Sequence, residues 1–457
     1  MAQRESYICN EMSFFKLASH ITTTKWSINE RQAIEDGITA LINTEQTQSF
    51  FDYCLLWKIA PWVFAQLKRN GLSLPKKNWN DFDAAYQKVK HQNEARNKTA
   101  FLFLERFQEA GIEIAVLKGN YLAHAVYQDI GYKRMNDFDI LIHKKDWDKI
   151  QDIYLDLGFI PLGNGWSGEK EKPASYSHVG MAYISPDFSC IVGSQWGLKS
   201  PTTSYTIDMD AVWNDVVDFN FCGQAVKALS PEYNLLHLVL HLGVFKCGIR
   251  DCMDLYNLAK NIPIDYEKYA TICEKVNCES KSVFALSVSN FSTPEFTIQQ
   301  KQSIKGFLKT RLVKRRAIHE RTTDYQDSYN DYFQDIEKQV IYFNLFPKFH
   351  KRFKYYIRIL GLIYFPKTTV SLKLNDCSDR PTLLRKFVSW LKAPYYIFSL
   401  IAQEIGWKFT ILLFSKLFFD LIFSLKNYVI KTDSYFDYLR KKGVDPKQIE
   451  NVVKNIE

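Results

Sequence analysis

The 457-residue sequence has no CxxC pair, no internal repeat and no low-complexity tract. Its nine cysteines are scattered, and the closest spacings, Cys247 to Cys252 and Cys273 to Cys278, match no common zinc pattern. That speaks against a zinc framework. An odd count without a secretion signal speaks for reduced thiols in a cytoplasm. Met1 to His20 has no uninterrupted apolar core and carries Arg4 and Glu5, so no signal peptide is expected. No recognisable RNA-binding module is present, which leaves an RNA-directed activity without support.

What the chain does have is length for two to four domains, a 15% aromatic content, and an uneven charge. The net charge of +9 divides into +14 over residues 301–457 and −5 over residues 1–300. An anionic partner, nucleic acid or acidic lipid, is therefore expected at the C-terminal third.

Apolar periodicity predicts helices over Asn29 to Asn43, Phe50 to Arg69 with a break at Pro61, and Asp81 to Ala110. Gly111 ends the last of these. A short strand, Ile112–Leu117, follows, then a helix from Asn120 to Gln128, a strand Phe138–Ile142 and a helix Asp146 to Leu157. Residues 161–175 read as loop. A hairpin is expected over Tyr176–Ile184 and Ser189–Leu198, turned at Ser185-Pro186-Asp187, with a further strand pair over Asp218 to Leu229. Ser230-Pro231-Glu232 then opens a helix, with serine as cap and proline in the first turn. This order predicts an α+β chain: a small mixed β-sheet with helices on one face, flanked by N-terminal and C-terminal helical regions. The expected division is 1–110, 111–229, 230–342 and 343–457.

The chemistry concentrates between residues 112 and 142. Asp137 and Asp139 are two residues apart on a strand, so both carboxylates leave the same face. Two carboxylates so close call for a positive charge between them, and a hard divalent cation is the usual answer. Lys118 and Arg134 are candidate cations for phosphate. Gly119 allows close approach of the backbone, with a helix behind it.

Leu117-Lys118-Gly119, Tyr127, Gly131, Arg134-Met135 and Asp137-Phe138-Asp139-Ile140-Leu141-Ile142 together resemble a bacterial family of uncharacterised nucleotidyltransferases in the DNA polymerase β-like superfamily. The resemblance continues through Leu157-Gly158-Phe159, Trp196, Leu229-Ser230-Pro231-Glu232, Leu238 to His241 and Arg250 to Leu255, and covers roughly residues 100–265. It implies Mg²⁺- or Mn²⁺-dependent transfer of a nucleotide from an NTP to a hydroxyl or phosphate acceptor that the sequence does not identify. It also implies a setting near a surface-polysaccharide or modified-peptide pathway. Asp137 and Asp139 would hold ions about 3.5–4 Å apart, as in two-metal sites.

One position departs from that family. An acid is expected on a later strand, and Val192-Gly193-Ser194-Gln195-Trp196 places Gly193 there, with Gln195 at a histidine position. Asp208 or Asp210 is a candidate substitute, although both also read as cap and first-turn acids of a helix through Val212 and Trp213. Asp187 is a weaker candidate. The alternative function is a catalytically weakened nucleotide-binding accessory protein at the membrane surface.

His237 and His241, four apart with Asp254 on the next helix, read as a metal pair or as core histidines. His178 is placed to line the cleft. Toward the C-terminus, Arg311, Lys314, Arg315 and Arg316 form one basic cluster. Lys348, Lys351, Arg352, Lys354 and Arg358, interleaved with Phe349, Phe353, Tyr355 and Tyr356, form another. Such mixing suits an anionic surface or a solvated helix face over an aromatic core. Trp407 to Ile430 is the most apolar segment but is too interrupted for a spanning helix of about 20 apolar residues. It reads as packing into the C-terminal region, with a membrane-interface position as the alternative. A cytoplasmic protein, peripheral at the inner membrane face, is the corresponding location.

Overall fold

The computed structural model describes residues 14–135, 137–162, 171, 177–242, 249–289, 329–345, 349–375, 382–429, 439–441, 443–445 and 447–449. The chain opens with helices α1 (Phe14–Ile21), α2 (Ile28–Asn43), α3 (Thr47–Leu56), α4 (Ala60–Arg69) and α5 (Lys76–Glu109). Ser27 and Glu30 form a reciprocal capping box at the start of α2, satisfying two otherwise orphaned N–H groups. The break expected near Pro61 falls between α3 and α4. Pro61 lies in the first turn of α4, where a missing N–H costs nothing. Gly111, at φ +66°, ends α5 in the left-handed conformation that glycine adopts most readily.

The sheet follows. Its elements are β1 (Ile114–Val116), α6 (Lys118–Leu122) continued by a π turn (Ala123–Tyr127), β2 (Phe138–Ile142), α7 (Trp147–Asp156), β3 (Ile160–Leu162), β4 (Ala182–Ile184), β5 (Ile191–Gln195), α8 (Met209–Asn214), β6 (Val217–Phe221) and β7 (Gln224–Ala228). The spatial order is β3-β4-β5-β2-β1-β7-β6, with β2–β5 and β1–β7 parallel and the other pairs antiparallel. The expected hairpin is present as β4 and β5, its turn held by Asp187, whose Oδ1 accepts from Ser189 N at 3.1 Å and Ser185 Oγ at 2.6 Å. The second expected pair is β6 and β7.

Helices cover both faces rather than the single face expected. Every residue of β1 and β2 is buried, the mark of strands enclosed on both sides. On one face Ile114, Val116, Phe138, Ile140 and Val192 pack on Phe103 and Phe107 of α5 and on Ile150 and Tyr154 of α7. On the other, Ala115, Leu117 and Leu141 join a core containing Tyr121 and Leu122 of α6. That core also takes in α1 to α4 and the helices after the sheet, α9 (Pro231–His241), α10 (Ile249–Asn261), α11 (Tyr266–Val276) and α12 (Glu279–Ser289). Ser230 caps α9 and Pro231 begins it, as the sequence predicts.

A further core, including Phe333, Ile336, Ile359, Ile363, Leu417 and Leu421, belongs to α13 (Tyr329–Leu345), α14 (Phe349–Tyr364), α15 (Thr368–Leu374), α16 (Leu383–Ile405) and α17 (Trp407–Val429). The segment read as Trp407 to Ile430 packs through Leu417 and Leu421, while Ile411, Phe418 and Ile422 face solvent. No helix among the described residues is long and apolar enough to cross a membrane. The basic cluster Arg311, Lys314, Arg315 and Arg316 lies outside the described residues, as does Lys348.

Candidate functional site

Strand periodicity sends Phe138, Ile140 and Ile142 to one face of β2 and Asp139 with Leu141 to the other. Asp137, two residues before Asp139, is exposed, whereas Asp139 is buried. Leu117 N donates to the Asp139 main-chain carbonyl at 3.1 Å, so the end of β1 is tied to the backbone of the residue that bears the carboxylate. The next residue delivers the cation: Lys118 Nζ lies 2.8 Å from Asp139 Oδ2, with side-chain exposures of 21% and 12%. Burial pushes the Lys118 pKa down. The nearby Asp139 and Asp137 carboxylates, with the hydrogen bond to Asp139, outweigh it and hold the ammonium above its ordinary value.

The unusual backbone falls on Lys118, not on Gly119. Lys118 has φ +49°, the left-handed region that non-glycine residues avoid. Gly119 is outside that region, and a Cβ there would meet Met135 Cγ at 3.4 Å, which is ordinary contact. Asn120 Nδ2 donates to the Asp137 carbonyl at 3.3 Å.

The position expected to carry a third acid lies beside the pair. Gly193 is the register partner of Asp139 across the parallel β2–β5 ladder. A Cβ at 193 would stand 2.7 Å from Asp139 Oδ1. Gln195, on the same face of β5, reaches His237 Nε2 at 3.4 Å, and His237 and His241 meet at 3.0 Å.

The proposed substitutes do not join this set. Asp208 is the N-cap of α8, its Oδ1 accepting from Asp210 N at 3.0 Å and Ala211 N at 3.2 Å, and Asp210 sits in the first turn. Asp187 is held in its hairpin turn. Among the described residues no three His, Cys, Asp or Glu side chains gather closely enough to hold a metal ion. Nor does Asp254 join His237 and His241: it pairs with Lys133 and accepts from Tyr127 OH at 2.6 Å. His178 does reach the site electrostatically. Burial, with Lys199 and Lys118 nearby, lowers its pKa to about 4.

Three participants were not singled out from sequence. Arg96 of α5 feels both Asp137 and Arg134, although burial is the main influence, lowering its pKa. Arg250 of α10 adds to the burial that lowers Arg134. Asn120 reaches the Asp137 carbonyl. The buried Arg96 Nε and Asn120 Oδ1 have no hydrogen-bond partner among the described residues. A signal for Arg96 existed: Asn93, Arg96 and Asn97 form a polar stripe at helical spacing within α5, and all three are buried.

Asp137 and Asp139 are the two carboxylates that a hard divalent cation would use here, the number that Mg²⁺ commonly takes from a protein when substrate phosphates and water complete its shell, and one oxygen of Asp139 is already engaged by Lys118. The site does not supply a three-carboxylate cage, because the space beside Asp139 Oδ1 has no side chain at 193.

A family model described as an uncharacterised nucleotidyltransferase matches residues 43–290. No curated protein and no solved structure matches the chain. The family match spans more than half of the chain and the whole site, and the chain belongs to that family.

Proposed function

We propose, from that membership, that the site at Asp137 and Asp139, at the start of the central strand β2, transfers a nucleotidyl group from an NTP to a hydroxyl or phosphate oxygen of an acceptor. The observation that carries this reading is the Lys118–Asp139 pair at 2.8 Å, with Asp137, just before β2, also acting on Lys118, inside the matched region. Asp137 and Asp139 would hold Mg²⁺ (or Mn²⁺) together with the triphosphate. When bound, the cation neutralises charge on the triphosphate and on the departing pyrophosphate.

The protein's own groups have separate tasks. Lys118 Nζ, now on Asp139 Oδ2, stands where a phosphate oxygen can share it. Arg134, with Arg96 and Arg250 near it, adds positive charge for the phosphates. The acceptor oxygen attacks the α-phosphorus, the bond to pyrophosphate breaks, and the acceptor's proton must leave. With no carboxylate at 193, the exposed Asp137 carboxylate is the group open to receive it, directly or through water.

Gly193 favours a second reading, a nucleotide-binding accessory protein with weak turnover. One experiment separates the two. The protein is incubated with Mg²⁺ or Mn²⁺, each labelled NTP and an extract as acceptor source, with Asp139→Asn as control, and NTP binding is measured by calorimetry. Label transfer lost in the control supports the enzyme. Binding without transfer supports the accessory reading, and neither binding nor transfer overturns both.

A further inference from the structure

The C-terminal helices bury one side and leave apolar side chains on the other. α16 sends Ala393, Ile397, Leu400 and Ile401 into the core it shares with α13 and α14. Leu384, Phe387, Val388, Leu391 and Tyr395 remain in solvent at helical spacing, so they form one stripe. The ring of Phe365, just after α14, lies tilted against Trp390 at 5.9 Å, and Trp390 lies 5.9 Å from Phe387. The patch therefore continues from one helix end onto another. Phe365, Phe387 and Leu391 are 70%, 55% and 56% exposed. Contiguous exposure of large aromatic and aliphatic groups marks an interaction surface rather than ordinary protein exterior.

The exposed charge beside the stripe is positive. Lys367, Arg385, Lys386 and Lys392 are all exposed. No Asp or Glu occurs in residues 361–375 or 382–403. Residues 376–381, outside the described residues, add Asp376, Asp379 and Arg380, leaving 361–403 at +4. α17 also turns Leu417 and Leu421 inward and Ile411, Phe418 and Ile422 outward, with Lys408 exposed and Lys416 paired with Asp420.

The geometry points to an anionic bilayer surface as the partner of α16. The stripe from Leu384 to Tyr395, with Phe365 and Trp390, enters the headgroup boundary, and Arg385 and Lys392, which flank the stripe on the helix, meet lipid phosphates. Aromatic rings flanked by lysine and arginine suit that boundary, where apolar burial and attraction to anionic lipid act together. A second copy of the chain is a poorer occupant. A two-fold pairing sets the same patch against itself and brings the basic residues of both copies together. With no helix apolar and long enough to span, attachment is in the plane of the surface.

The test is sedimentation of the full chain with phosphatidylcholine vesicles, with and without phosphatidylserine. Retention is expected on the phosphatidylserine vesicles and should fall with added salt. Phe387→Glu with Leu391→Glu, and separately Arg385→Glu with Lys392→Glu, should each weaken retention by about tenfold or more. All four positions are exposed, so melting temperature and near-ultraviolet dichroism should stay at wild-type values. Equal retention on neutral vesicles, no retention, or full retention by both double variants overturns the proposal. So does a wild-type dimer in sedimentation velocity that Phe387→Glu with Leu391→Glu converts to monomer, which would assign the face to a second copy.

Discussion

Asp139 and Gly193 are register partners on adjacent parallel strands, and a Cβ at 193 would lie 2.7 Å from Asp139 Oδ1. Any side chain there must displace a short carboxylate whose other oxygen is held by Lys118. Gly193→Ala is expected to cost about 1–2 kcal/mol, in the range of overpacking, as read by denaturant unfolding. Gly193→Asp adds like charge as well and should be less stable than Gly193→Ala in chelator. Added Mg²⁺ should then raise its melting temperature more than that of wild type, because a third oxygen donor is now present. Equal Mg²⁺ shifts in the two proteins would mean that position 193 does not face the cation.

Lys118 combines a buried ion pair with a left-handed backbone, and the two contributions can be separated. Lys118→Met leaves Asp139 without its ammonium and should cost about 2 kcal/mol, less than a fully buried pair because both groups keep some solvent. Lys118→Gly loses the same ammonium but suits φ +49°, so it should be more stable than Lys118→Ala by about 1 kcal/mol. The pH dependence has a definite sign. A lysine held above its ordinary 10.5 contributes stability that is complete below that pH and lost as pH rises through the folded value. The difference between wild type and Lys118→Met should be flat near neutrality and shrink on the alkaline side of 10.5.

Part of the fold around the candidate site was legible in the sequence, for local reasons. The strand Phe138–Ile142, with Asp139 facing away from Phe138 and Ile140, follows from a period of two, whereas Asp137, expected on the same strand, lies just before it. Ser230-Pro231 as a helix start, and Asp208 as a cap as well as a candidate ligand, follow from short-range hydrogen-bonding rules. What was not legible is long-range or conformational. The ladder that sets residue 139 beside 193 joins strands separated by a helix and a hairpin, and no local pattern encodes such a pairing. The positive φ of Lys118 runs against residue preference. The π turn at Ala123–Tyr127 interrupts what periodicity reads as one helix. Arg96 and Arg250 act through charge, Arg96 on Asp137 and Arg134 and Arg250 on Arg134, from helices far apart in sequence. The outward apolar stripe of α16 shares its spacing with an ordinary core stripe, so only the folded exposure distinguishes them.

His178 gives the acid side of the stability curve a separate handle. Burial and the neighbouring Lys199 and Lys118 lower its pKa from 6.5 to about 4. The unfolded chain therefore takes up a proton below 6.5 that the folded chain refuses until about 4, and stability is lost as pH falls through that interval. His178→Gln removes the proton uptake. Its melting temperature, relative to wild type, should improve steadily between pH 6.5 and 4. Parallel curves for the two proteins would rule out a neutral His178 held beside the site cations.

Lys133, Asp254 and Tyr127 pin the segment that carries Arg134. Lys133 pairs with Asp254 of α10, Tyr127 OH donates to the same carboxylate at 2.6 Å, and Lys133 Nζ lies 6.0 Å from the Trp62 ring. Asp254→Asn keeps the shape but takes the Asp254 charge away from a mostly buried ammonium, at an expected cost of about 3 kcal/mol. Lys133→Met combined with Asp254→Leu removes both charges and should recover most of that loss, apart from the contact with Trp62. Tyr127→Phe withdraws one donor from Asp254 and should cost about 1 kcal/mol. The functional consequence is positional. A segment freed from α10 no longer holds Arg134 in place, and small misplacements of such groups are costly. NTP affinity measured by calorimetry should therefore weaken by about tenfold in Asp254→Asn. It should weaken comparably in the Lys133→Met/Asp254→Leu pair, whose restored stability separates loss of positioning from loss of fold.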